Sequence, residues 1–90
     1  MSGNKDYQIE YLISVLKEDI PKLPKTIKAA IKKAIEERLM SDPVGFGKPL
    51  RYSLKGHRRL RVGDYRVVYR IDNTLVIIIA IKHRKDVYEE

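Results

Sequence analysis

Arginine crowds the one stretch of this chain whose residue types and spacing could do chemistry. Arg58, Arg59, Arg61, Arg66 and Arg70 all fall within RRLRVGDYRVVYR, and His57 stands immediately before it. A guanidinium is planar, permanently charged and able to donate two parallel hydrogen bonds, so arginine in place of lysine suits a phosphate ligand. Thiol and metal chemistry lack their residues. There is no Cys, and His57 and His83 have no Asp or Glu at ligand spacing. The charge and its geometry therefore point to binding an anion.

That geometry follows from a hairpin. Gly63 and Asp64 fit a type II′ turn, with Gly63 taking the positive φ. The turn sets Val62 opposite Tyr65, Arg61 opposite Arg66, Leu60 opposite Val67, Arg59 opposite Val68 and His57 opposite Arg70. Directly opposed residues share a face and neighbours alternate. One face then carries Leu60, Val62, Tyr65, Val67, Tyr69 and Ile71. The other carries His57, Arg59, Arg61, Arg66, Val68 and Arg70. Arginine opposed to arginine costs on the order of tenths of a kcal/mol to 1 kcal/mol, which a bound anion would offset. The competing reading is an ordinary solvated face of a half-buried sheet.

The rest of the chain must support that hairpin. Residues 7–11, YQIEY, alternate as a short half-buried strand. Leu12, Val15, Leu16 and Ile20 recur at helical spacing until Pro21, and Pro24 suits the first turn of a second helix. Ile27, Ala30, Ile31, Ala34, Ile35 and Leu39 form that helix's apolar stripe, ended by Ser41, Asp42 and Pro43. Lysines at its start and glutamates towards its end oppose the helix dipole, so packing must stabilise it. Residues 44–56, with one proline and three glycines, read as an irregular connection kept basic by Lys48, Arg51 and Lys55. Asp72, Asn73 and Thr74 make a second turn. LVIIIAI, residues 75–81, is apolar on both faces and belongs inside a sheet. The expected fold is α+β, in the order β-α-α-β-β-β: a small antiparallel sheet with two N-terminal helices on its apolar face and its basic face open.

Ninety residues predict a single domain over 1–90. A net charge of +7 and a pI near 9.7 favour nucleic acid or an acidic protein as partner. No apolar run approaches a membrane span and the N-terminus lacks a signal-peptide pattern, so no membrane role is expected and a reducing cytoplasm is the default location.

The segments FGKPLRYSLKGHRRLRVGDYRVVYRI and IIAIKHRKDVY, together with the element order, resemble the RelE/ParE superfamily of toxins from type II toxin–antitoxin systems, and the RelE branch more than the ParE branch. The resemblance covers nearly the whole chain. It implies a small sheet against two helices. It further implies an mRNA interferase: a ribosome-dependent endoribonuclease that cleaves mRNA in the ribosomal A site by attack of the ribose 2′-hydroxyl, with no metal and no cofactor. The implied partners are the ribosome, mRNA and a RelB-like antitoxin encoded adjacently, which folds on binding and neutralises the toxin. Arg59 and Arg61 resemble the family's basic pair before the hairpin turn, Arg66 the arginine after it, Arg84 the arginine of the last segment and Tyr88 the C-terminal aromatic. Lys48, Arg51, Lys55, His57, Arg58, Arg70, Lys82 and Lys85 are the accompanying expected contacts to RNA and ribosome.

Such a reaction needs a base for the 2′-hydroxyl, positive charge at the phosphorane and a proton or charge for the leaving 5′-oxygen. Arginine supplies the second and, staying protonated, cannot be the base. Tyr88 and His83 are the favoured bases, beside Arg66 and Arg84 as charge stabilisers, and His57 is the third titratable neighbour. Three other readings stand beside this one: a ParE-like gyrase-inhibiting toxin, a non-catalytic RNA-binding module, and a degenerate toxin retained as an antitoxin partner.

Overall fold

A computed structural model describes residues 7–49 and 56–86. The hairpin forms in the register its turn dictates. Strand β3, His57–Val62, and strand β4, Tyr65–Asp72, pair antiparallel with Val62 opposite Tyr65, Arg61 opposite Arg66 and His57 opposite Arg70. Gly63 has a φ of +60° and Asp64 does not share the positive region, as a type II′ turn requires. Asn73, at φ +59°, turns the chain into β5, Leu75–His83.

Strand β1, Gln8–Tyr11, lies outside β5, and β5 runs inside the sheet as its two-sided apolar sequence demands. The order is β1-β5-β4-β3-β2, where β2 is Lys48–Pro49. The α+β class and the two-helix layer stand, with two differences from the expected sheet. First, β1 is parallel to β5, so the sheet is mixed rather than wholly antiparallel. The chain between them passes through the whole helical layer and the hairpin, the long crossover that a parallel pair needs. Second, the connection after the second helix is partly regular. Pro43–Phe46 forms one helical turn, α3, because the Asp42 carboxylate accepts from the Gly45 N–H at 3.0 Å and Pro43 occupies its first position. Lys48 and Pro49 then pair with Arg59 and Arg58.

The helices are α1, residues 15–22, and α2, residues 25–39. Both contain a widened turn with hydrogen bonds five residues long, from the Ile20 N–H to the Val15 carbonyl and from the Met40 N–H to the Ile35 carbonyl. In α2 the stripe packs as expected at Ile31, Ala34, Ile35 and Leu39, whereas Ala30 is exposed. In α1 the widened turn shifts the buried line: Val15 and Asp19 are buried, while Leu12 and Leu16 face outward. The core joins Val15, Leu23, Ile31, Ile35 and Leu39 to the sheet's Leu60, Val67, Tyr69, Val76, Ile78 and Ile81. A bulge beside Val68 and Tyr69 changes the parity of β5, which brings Ile78 and Ile81 to the same face. No helix of the described residues is long and apolar enough to cross a membrane.

Candidate nucleic-acid interface

Pairing across four strands turns the arginine hairpin into rows. Arg61 opposes Arg66, which opposes Lys82. Lys48 opposes Arg59, and His57 opposes Arg70. Because Leu60 and Val67 between them are buried in the core, these rows lie on the sheet face turned away from the helices. Arg61 and Arg70 are exposed, and His57, Arg59 and Arg66 are partly buried.

Arg84 joins the same end of the sheet through its backbone. Its N–H donates to the Asp64 carbonyl of the hairpin turn at 2.7 Å, at the start of the turn Arg84–Asp86 that follows β5. Its guanidinium Nε stands 3.9 Å from the Asp64 carboxylate, a pair two-thirds exposed on both sides and worth little by itself. The backbone bond does the placing.

Two expected residues sit elsewhere. His83 is opposite Tyr65, its ring meeting the phenol edge-on at 5.1 Å between centroids, so it lies on the helix side and not among the arginines. Its Nδ1 accepts the Lys85 N–H at 3.2 Å. Arg58 is opposite buried Tyr69 and so belongs to the core side. There it donates to the carbonyls of Val44 and Gly47 at 2.8 and 3.2 Å, so Arg58 ties down the chain around α3 instead of facing a ligand. Tyr69 completes that tie by donating to the Pro43 carbonyl at 2.6 Å, and a Cβ on Gly47 would overlap its phenol oxygen. Burial pushes the Tyr69 phenol up from its ordinary range, partly offset by the bond and charge of Arg58. Burial, reinforced by Glu36, does the same for Tyr11. Lys82, in the row with Arg66, is held by Asp19 at 3.0 Å. Lys85 is exposed in the last described turn. Arg51, Lys55 and Tyr88 lie outside the described residues.

Asp19 escaped the sequence reading. One carboxylate oxygen accepts the Ile81 N–H at 2.9 Å, on the edge of β5 beyond the end of β1, and the other accepts from Lys82 Nζ. An acid four residues after buried Val15, on the packing side of a helix, was the available signal.

Known proteins share the fold. Residues 8–88 match the family model of the ParE toxin of type II toxin–antitoxin systems, parDE. The chain is similar to Toxin RelG of Mycobacterium tuberculosis, 42% identical over 74 residues that cover 80% of this chain and 85% of the relative. It is also similar to Toxin RelE of the same organism, 38% identical over 90 residues covering 98% and 92%. Among solved structures, the toxin–antitoxin complex RelBE2 of M. tuberculosis contains a chain that superposes with a TM-score of 0.81 at 36% identity, covering 91% of this chain and 98% of that one. The isolated RelE toxin of E. coli, 22% identical, shares the fold with a TM-score of 0.70, covering 86% and 83%. The chain belongs to the ParE toxin family of type II toxin–antitoxin systems, within the RelE/ParE superfamily.

Proposed function

We propose that this toxin is a ribosome-dependent endoribonuclease that cleaves mRNA in the ribosomal A site by 2′-hydroxyl attack, without a metal, and acts in the cytoplasm. The observation that carries the proposal is the pair Arg61–Arg66 beside Lys48–Arg59 on the face away from the core. Opposed cations of this density are stabilised by a polyanion threading between them. Arg66 and Arg84 are the charge stabilisers of the phosphorane, and Arg59 and Arg61 hold the RNA backbone. Tyr88 and His83 are the two candidate bases. The position of His83 against Tyr65, across the sheet from Arg66, weighs towards Tyr88.

A RelB-like antitoxin is the proposed neutralising partner, supported by the toxin–antitoxin complexes of M. tuberculosis, Methanococcus jannaschii and E. coli among the similar structures. The matching family model favours one second reading, a gyrase-inhibiting toxin on the same fold. Relatives named RelG and RelE at 42% and 38% identity, together with the cross-strand arginine pair, favour RNA. Incubation with programmed ribosomes, with and without EDTA, and separately with gyrase and supercoiled DNA, separates the two. The proposal expects EDTA-insensitive mRNA cleavage and no effect on gyrase. Gyrase inhibition with intact mRNA would replace it by the second reading.

A further inference from the structure

We propose that the open edge of β3 carries a separate nucleotide subsite, in which Phe46 stacks on one unpaired base while Arg38, from the last turn of α2, and Lys48 hold the adjoining phosphates. The inference rests on the RNA reading above.

A cavity of about 230 Å³ lies at this edge, lined by Arg38, Phe46, Lys48, Arg59, Leu60 and Arg61. Four of the six are cations and none is an acid. Phe46 is 51% exposed. An aromatic ring held open to solvent loses the apolar burial that usually places it, and guanidinium planes beside it offer a second stacking surface. Aromatic faces ringed by basic residues bind single-stranded nucleic acid, because every base has a π-face and every nucleotide a phosphate. The volume is below the roughly 300–1,000 Å³ of pockets for drug-sized ligands, which suits one base and not an extended molecule.

The placement fits a single continuous strand of RNA. Lys48 and Arg59 are cross-strand partners, and Arg61 begins the row that ends at Lys82, so the cavity opens directly onto the basic face. Strand β2 pairs only with Arg58 and Arg59, leaving the edge at Leu60 and Arg61 without a strand neighbour among the described residues. The helical turn Pro43–Phe46, capped by Asp42, projects Phe46 over that edge. A nucleotide seated there is a neighbour of the one being cleaved, so the subsite contributes affinity and leaves the chemical step to Arg66 and Arg84.

The test is steady-state cleavage on programmed ribosomes by Phe46→Ala, Phe46→Trp and Arg38→Glu. Both positions carry exposed side chains, and unchanged melting temperatures are expected. Phe46→Ala and Arg38→Glu should each raise KM roughly tenfold at unchanged kcat, and Phe46→Trp should restore the wild-type KM. Messengers with an abasic residue at successive positions near the cut identify the source of the base. One position that abolishes the difference between wild type and Phe46→Ala assigns it to mRNA; a difference that survives at all of them assigns it to ribosomal RNA, and both support the subsite. Unchanged KM in both variants, with Arg66→Ala still impaired, overturns the subsite and leaves the function standing. The same result with weakened antitoxin binding gives the cavity to a protein partner and also overturns it. No cleavage by the wild type removes the underlying function and the subsite with it.

Discussion

Removing the Asp19 carboxylate should loosen the sheet where it carries Lys82 and leads into Arg84. Asp19 is 7% exposed and is the one buried charged side chain among the described residues. In Asp19→Ala the Ile81 N–H loses its acceptor, and an orphaned buried donor costs about 1–3 kcal/mol. The Lys82 pair adds little, because Lys82 is 44% exposed and such pairs contribute about 0–1 kcal/mol. The sum is about 1–4 kcal/mol, centred near 2.5 kcal/mol. A domain of this size loses roughly 4–8 °C in Tm per kcal/mol, so a fall of about 10–20 °C is expected. Asp19→Asn keeps an oxygen for Ile81 and gives up only the ion pair, so it should lose less than half as much. Thermal and urea unfolding of both variants measure this, with the urea m-value unchanged. Equal losses in the two variants would place the stabilisation in the charge and contradict the assignment, and an unchanged Asp19→Ala would remove the clamp altogether.

Two further outcomes follow from the site. Tyr69 has a folded-state pKa raised above the ordinary phenol value of 10.0, so its proton is held more tightly folded than unfolded, and the stability this contributes is present below pH 10 and lost as pH rises through the folded value. Tyr69→Phe should therefore flatten part of the alkaline fall in Tm, while costing about 1–3 kcal/mol at neutral pH by stripping the Pro43 carbonyl of its donor. Binding to programmed ribosomes should weaken linearly with salt on a log–log plot, with a slope of roughly 0.7 per phosphate contacted, and Arg61→Ala should reduce that slope by about one contact; affinity independent of salt would remove phosphates from the account.

The hairpin was legible because a two-residue turn with Gly63 leaves only one register, and the side-chain period of two then distributes every residue from His57 to Ile71. The same parity put Arg58 opposite Tyr69, but positive charge in a basic run drew it towards the ligand; only the folded chain around α3 supplies the carbonyls that occupy it. Periodicity found α1 and α2 and the buried stripe of α2, yet missed the phase of α1, since a widened turn is a consequence of packing and leaves no pattern of its own. The same shift hid Asp19. The parallel placement of β1 depends on which edge of the sheet a short strand joins, information that no four-residue segment contains. Phe46 was hidden for a related reason: its meaning comes from Arg38 and β3, which are distant in sequence.

Single-turnover cleavage of mRNA on programmed ribosomes by Arg66→Ala tests the central claim most directly. Arg66 lies on the face away from the core, opposite Arg61 and Lys82, so its removal should leave the fold intact while taking away a charged transition-state contact worth about 2–4 kcal/mol, or roughly 30- to 1000-fold in rate. Arg66→Lys should recover only part, because an ammonium lacks the bidentate fork. Cleavage by Arg66→Ala at the wild-type rate would contradict the account.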